Sequence, residues 1–385
     1  MKQVALNILL DGVGWRQTED ARLLAALCPH RRRLATVLGY SCGAVPTLLT
    51  GKLPEETGQW AMWSYAPETS PFRRSAWMAK APPLLRRLLG ITRQRIVGDY
   101  KARRGITGYC EVYQIPDSLL PLVDTCIGQS LYLPGALHPV ETLFDRWLRE
   151  GVPYRVYGYP TPDAESLRLA AADLAEGAAE AYFLHLYETD SFLHRHCDDP
   201  GAVRARLAEY EVQIAALHAL AAQHAASVSL TLFSDHGMTT VTAQDDVMAR
   251  IAALGLRLGR DYMAIYDSTM ARFWFLRPPA EARIRECLGG LSCGRMLPDE
   301  ELERLGLRFA DRRFGHLVFL MHPGRVINPS HMGSAPPVGM HGYHPDEDPG
   351  ADAALLSTGP IPPGVAHIRD VFDLLVRQGR PERAR

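Results

Sequence analysis

Three apolar runs of this chain end in carboxylates. Val4–Leu10 leads into Asp11, Ala181–Tyr187 into Glu188-Thr189-Asp190, and Ser227–Phe233 into Ser234-Asp235-His236. Each run has the length of a buried strand rather than of a helix. Helical patterns lie between them: the Ala-rich Asp163–Gly177 and the long amphipathic Ala202–Ala226. Strands alternating with helices predict an α/β fold, a mainly parallel sheet with helices on both faces. In such a sheet ligands bind beyond the carboxyl ends of the strands. Three strands therefore deliver carboxylates to one rim. Unpaired, those groups repel one another and resist desolvation. A bound cation resolves the conflict.

The rest of the chain fits around that frame. Ala21–Leu38 reads as a helix, Cys42–Gly51 as a helix closed by Gly51, Val152–Tyr159 and Ala353–Ser357 as strands, and Ile368–Val376 as a helix. Two stretches break the rhythm. Residues 65–150 are rich in Pro, Arg and aromatics and read as a cap-like insertion. Residues 255–335 place the strand candidates Tyr262–Asp267, Ala271–Leu276 and His316–Met321 around the helix Ala280–Leu288, and read as a small α+β insertion. The 385 residues otherwise suit one large catalytic domain, 1–385.

Charge narrows the partners. With 42 basic and 43 acidic residues the net charge is −1, so no nucleic-acid polymer is expected. The local arginine clusters, Arg31-Arg32-Arg33 and the 86–104 stretch, read as solvated helix faces. Seven cysteines without a CxxC pair point to reduced thiols and a cytoplasmic protein. No stretch reaches the roughly 18 apolar residues of a membrane span. Nothing in the sequence sets the oligomeric state.

Histidines join the carboxylates. Asp190 and His194 are spaced to share one face of a helical turn. Asp235-His236 puts two ligands at one strand tip, and His341 lies in the Gly-containing loop Gly339-Met-His-Gly-Tyr343. Carboxylate and imidazole ligands suit zinc, and manganese also accepts them. His185, mid-strand, reads as a core histidine. Cys42 reads as a small buried residue, Asp346-Glu-Asp348 as a solvated loop and Asp267-Ser-Thr269 as a turn.

In this order the motifs resemble the alkaline phosphatase superfamily, and most closely its type I phosphodiesterase/nucleotide pyrophosphatase branch. The family runs from a strand-end Asp to a Thr/Ser nucleophile, a TG-x-x-PE-x-x-G turn, D-x-x-x-H, SDHGM and a late H-G. Here these are Leu9-Leu-Asp11-Gly, Ser41, Thr50-Gly-Lys-Leu-Pro-Glu-Glu-Thr-Gly58, Asp190 to His194, Ser234-Asp-His-Gly-Met238 and His341-Gly342. The resemblance implies an alkaline phosphatase-like sandwich with a cap insertion. It implies two zinc ions, one held by Asp190, His194 and His341 and the other by Asp11, Asp235, His236 and the Ser41 oxygen. It also implies a phosphoseryl intermediate on Ser41. The sulfatase branch expects an Arg shortly after its modified Cys or Ser, and Cys42-Gly-Ala-Val-Pro46 offers none.

Charge then bears on the substrate. Two dications, three carboxylates and one alkoxide sum close to neutral, which suits a small-molecule phosphodiester or pyrophosphate. A phosphomonoesterase, or a phosphonate hydrolase or phosphotransferase of the same superfamily, is the alternative. A metal-binding protein without catalysis is disfavoured by the intact nucleophile and ligand set. One departure concerns the Asn that follows the TG turn in nucleotide pyrophosphatases. The chain reads Gly58-Gln-Trp-Ala-Met-Trp-Ser-Tyr65, where Gln59 or Ser64 could stand in. Trp60, Met62, Trp63 and Tyr65 there could line a pocket for an apolar leaving group or pack the cap on the core.

Overall fold

The computed structural model describes residues 3–73 and 93–379. Its chain divides into two compact units. One comprises Met1–Thr57, Leu131–Thr240 and Pro337–Arg385, the other Gly58–Ser130 and Val241–Pro336. The second unit thus draws on both stretches that break the strand–helix rhythm. Residues 74–92 of the cap-like stretch, including the first arginines of 86–104, lie outside the described residues.

The first unit is built on a six-stranded sheet. In chain order its strands are β1 (Gln3–Leu10), β2 (His30–Leu34), β3 (Tyr154–Tyr157), β4 (Ala181–Leu186), β5 (Ser227–Phe233) and β6 (Ala353–Ser357). Across the sheet they lie in the order β2-β6-β5-β1-β4-β3. β1 runs parallel to β4 and β5, and β3 parallel to β4. Only β6 runs against its neighbours. The central strands are covered on both faces, and their near-continuous apolar sequences follow from that burial.

Alternation along the strands splits the core in two. Leu6, Ile8 and Leu10 of β1 share a cluster with Tyr182, Leu184 and Leu186 of β4 and Leu230 and Leu232 of β5. Against it pack Leu167, Ala170 and Leu174 of the Asp163–Ala175 helix. Val203, Leu207, Tyr210, Ile214, Leu217 and Ala221 of the Pro200–His224 helix complete the cluster, at helical spacing. Phe183 points to the other face and meets the edge of the Phe144 ring at 5.3 Å between centroids. Phe144 belongs to the Leu143–Arg149 helix, which packs with Val371–Gln378.

One segment departs from the sequence reading. Ala21–Leu38 is not a helix. The helix there is Trp15–Ala21, and Arg22 and Leu24 after it adopt left-handed φ values of 51° each. His30–Leu34 is then an edge strand on β6. Arg31 and Arg32 are accordingly not a solvated helix face. Arg31 donates to the carbonyls of Leu23 and Thr18, and Arg32 to those of Pro362, Pro363 and Val365.

The second unit holds a four-stranded antiparallel sheet in the order Tyr262–Tyr266, Met270–Phe275, Leu317–Met321, Gly294–Met296. Trp63–Tyr65 pairs with Val123–Thr125 as a separate ribbon. Met263, Ile265 and Trp274 share a core cluster with Trp63, Phe72 and Val123. Asp267 sits in the hairpin turn and pairs with the buried Arg272 at 2.8 Å.

Candidate metal centre

The sheet register places the site. Leu10 lies beside Leu186, and Leu9 beside Phe233. Asp11 therefore leaves the sheet between the segments carrying Asp190 and Asp235. Gly12 follows with φ +74°, and a Cβ on it would stand 3.1 Å from Asp190 Oδ1 and 3.2 Å from Asp190 Cα. A side chain there would push the two loops apart.

Asp190 and His194 lie on the Glu188–His196 helix. Buried Asp163 fixes where that helix starts. Its carboxylate accepts from the Tyr187 and Glu188 amides at 3.0 and 3.1 Å and from the Tyr210 hydroxyl at 2.6 Å. The spacing then brings His194 Nε2 to 3.4 Å from Asp190 Oδ2, and Nδ1 faces the Gly339 carbonyl at 2.7 Å. His341 Nε2 lies 3.7 Å from Asp190 Oδ1.

Asp235 and His236 form the second group with Asp11. Asp235 is fully buried, and its Oδ1 accepts from the amides of Gly12 and His236. His236 Nδ1 faces the Gly237 carbonyl at 3.0 Å, which turns Nε2 toward Asp235 Oδ2 at 3.1 Å and Asp11 Oδ1 at 3.7 Å. The glycine after His236 has a packing cause. A Cβ on Gly237 would meet the Gly350 carbonyl oxygen at 2.1 Å.

Each triad, Asp190/His194/His341 and Asp11/Asp235/His236, offers ligand atoms lying within 4.8 Å of one another. The His236 and His341 rings stack at 3.7 Å between centroids, joining the groups. Ser41 opens the Ser41–Thr50 helix, and its Oγ stands 3.0 Å from His236 Nε2. All seven residues that the sequence reading named as ligands or nucleophile thus come together. Cys42, beside Ser41, is half-buried rather than buried.

The charges are in tension. Burial, then the Asp235 charge, pushes the Asp11 carboxyl up to about 7. Burial also disfavours the charged forms of Asp235 and His236, yet each holds the other charged. Asp235 is drawn down to about 2 and His236 is lifted to about 10. Asp190 is lowered because His194 outweighs its desolvation. Burial and the His236 charge push His341 well below the usual histidine range.

Asp11 Oδ1, Asp190 Oδ1, Asp235 Oδ2 and His341 Nδ1 are buried without a hydrogen-bond partner. Such atoms cost about 1–3 kcal/mol each when left unsatisfied. Three carboxylate oxygens and an imidazole nitrogen are a donor set that fits a divalent cation.

The family of the chain follows from comparison of its sequence. The family model described as type I phosphodiesterase / nucleotide pyrophosphatase matches residues 5–344. The chain belongs to that family. It is a phosphoester hydrolase of the alkaline phosphatase superfamily, and the family is metal-dependent. No curated protein matches it in sequence. Among solved structures it is similar to murine ectonucleotide pyrophosphatase/phosphodiesterase 5, with TM-score 0.68 and 14% identity over 98% of this chain and 95% of that one. An inactive form of the murine protein in complex with AMP gives TM-score 0.66 and 15% identity over 98% and 95%. Phosphonoacetate hydrolase from Sinorhizobium meliloti 1021, in complex with phosphonoformate, gives 0.63 and 14% over 98% and 96%. Among the described residues no helix is long and apolar enough to cross a membrane.

Trp60 and Trp63 are buried in the second unit, Trp60 against Phe314 and Trp63 with its Nε1 donating to Glu111 O. Met62 and Tyr65 are partly exposed. Gln59 donates to the Cys126 carbonyl and Ser64 to that of Asp124. Asp348 is not solvated: it is buried and accepts from Thr239 Oγ1 at 2.7 and 2.9 Å. His185, read as a core residue, is buried but touches the site, with Nε2 2.7 Å from Asp11 Oδ2. Its signal was faint: a histidine in an apolar strand, two positions before the strand end.

Proposed function

We propose that this hydrolase cleaves small phosphodiesters or pyrophosphates through a phosphoseryl intermediate on Ser41, with two zinc ions or manganese in their place. The observation that carries the reading is Ser41 Oγ, 3.0 Å from His236 Nε2, beside two three-ligand groups. One ion would rest on Asp190, His194 and His341, the other on Asp11, Asp235, His236 and the Ser41 oxygen, supplying Lewis acidity that lowers a hydroxyl's pKa and offsets phosphoryl charge.

The chain's own part follows. Ser41 sits at a helix N-terminus, where the dipole favours a developing anion. Its hydroxyl releases its proton to solvent and its oxygen bonds to phosphorus as the bond to the leaving oxygen breaks; that oxygen departs with the bonding pair and is protonated by solvent. Water then cleaves the phosphoserine and restores the hydroxyl. His236, pinned through Nδ1, and Asp235, pinned by two amides, hold their places throughout. The seven cysteines, none of them in a disulfide, support a cytoplasmic setting.

The AMP and phosphonoformate of the two structural neighbours are phosphoryl and phosphonyl ligands on this fold. A paired assay on bis-p-nitrophenyl phosphate and p-nitrophenyl phosphate, with metal content read on the same sample, tests the proposal. A diester preference with two ions per chain is expected. A monoester preference would replace it with a phosphomonoesterase, and metal binding without hydrolysis of either ester would leave an inactive metal-binding protein.

A further inference from the structure

We infer that Tyr132 and His185 form a positioning chain that fixes one oxygen of Asp11 and thereby presents the other to the metal. This rests on the reading of Asp11 as a ligand. Tyr132 OH lies 2.5 Å from His185 Nδ1, and His185 Nε2 lies 2.7 Å from Asp11 Oδ2. Both nitrogens of this buried imidazole are therefore engaged. A neutral imidazole carries one N–H. With the tyrosine O–H donating to Nδ1, that N–H sits on Nε2 and donates to Asp11. Tyr132 thus selects the tautomer, and the tautomer holds the carboxylate.

The other oxygen of Asp11 is the buried, unpartnered Oδ1, which faces His236 Nε2 at 3.7 Å. Asp235 has one oxygen held by backbone amides instead. The chain is built in from outside as well. A Cβ on Gly158 would stand 3.0 Å from Tyr132 OH and 3.1 Å from His185 Cβ, so the missing side chain makes its room. Phe144 and Phe183 flank the Tyr132 ring. Outer hydrogen bonds of this kind orient metal ligands, and losing one typically weakens metal affinity about 10–100-fold.

The test is zinc titration of the metal-free full chain against a chromophoric chelator, for wild type, His185→Leu, His185→Gln, Tyr132→Phe and Asp11→Asn. The expected result is one ion weakened about 10–100-fold in His185→Leu, the same ion that Asp11→Asn loses, with the other ion unchanged. Gln, which keeps an N–H donor near Nε2, recovers most of the loss, and Tyr132→Phe weakens the same ion less. A merely structural role would weaken both ions together and deny rescue to Gln. That pattern, or wild-type affinity for both ions in His185→Leu and Tyr132→Phe, overturns the inference. Should His185→Leu fail to fold, Tyr132→Phe alone decides between one weakened ion and none. Wild-type protein that takes up no zinc would instead sink the ligand reading, and the positioning role with it.

Discussion

Ser41 Oγ and His236 Nε2 stand 3.0 Å apart, although 195 positions separate them in sequence. The contact joins the start of a helix to the tip of β5. It places the hydroxyl among metal-ligand candidates rather than beside a free general base. Ser41→Ala should therefore lower kcat/KM for a phosphodiester by about three orders of magnitude or more, with metal content unchanged. Cys42→Ala should stay close to wild type. Near wild-type turnover in the serine variant would remove the nucleophile assignment.

Asp11 makes the metal-free protein sensitive to pH. Its carboxyl is pushed up to about 7 in the fold, against about 3.9 in an unfolded chain. Between those values the folded state binds more protons than the unfolded one. Stability of the metal-free protein is therefore full at the acid end of that window. It falls as pH rises through it, by up to about 1.4 kcal/mol per unit. Asp11→Asn removes this loss. In EDTA at pH 8 the variant should melt at or above wild type, and in saturating zinc below it, because it forfeits the stabilisation that a bound ion adds. A variant less stable than wild type in both buffers would contradict the account.

How legible the molecule was depended on burial. β1, β4, β5 and β6 stand out because a strand covered on both faces has to be apolar throughout. β2 is His30-Arg-Arg-Arg-Leu34, an edge strand hydrogen-bonded to β6 alone, so nothing forced an apolar pattern on it and its arginines resembled a helix face. Asp11, Asp190, His194, Asp235 and His236 were readable as ligand candidates because each follows a strand end or a helical spacing, and His341 through the family resemblance. His185 and Asp348 were not, because their importance lies in partners distant in sequence, Asp11 and Thr239. Ala21–Leu38 failed for a local reason. The chain turns left-handed at Arg22 and Leu24, residues that give no glycine-like warning.

Gly237 carries a separate prediction. Its Cα passes so near the loop after Asp348 that a methyl group would overlap the Gly350 carbonyl oxygen at 2.1 Å. Backbone, not a flexible side chain, must move. Gly237→Ala should cost about 1–3 kcal/mol. It should also weaken metal binding at Asp11/Asp235/His236, because His236 Nδ1 is pinned to the carbonyl of this same residue. Thermal unfolding and zinc stoichiometry on one sample check both effects. A variant with wild-type melting and full metal content would show that the loop yields at no cost.

His367 lies far from these ligands in sequence and gives the fold a second pH dependence. It starts the turn that leads into the Val371–Gln378 helix: its Nδ1 accepts from the Arg369 amide at 3.1 Å, and Asp370 accepts from its own amide at 2.8 Å. Burial, then the Arg369 charge, pushes the imidazole down to about 4. Unfolded, it titrates near about 6.5. Between these values the unfolded chain takes a proton that the folded one refuses, so stability is full above about 6.5 and declines as pH falls toward about 4. His367→Asn keeps a capping acceptor without the titration. Its unfolding free energy should run flatter than wild type across that window, by up to about 1.4 kcal/mol per pH unit, with the two curves converging in slope above it. Parallel curves from pH 7 down to pH 4 would show that the imidazole is already protonated in the folded protein.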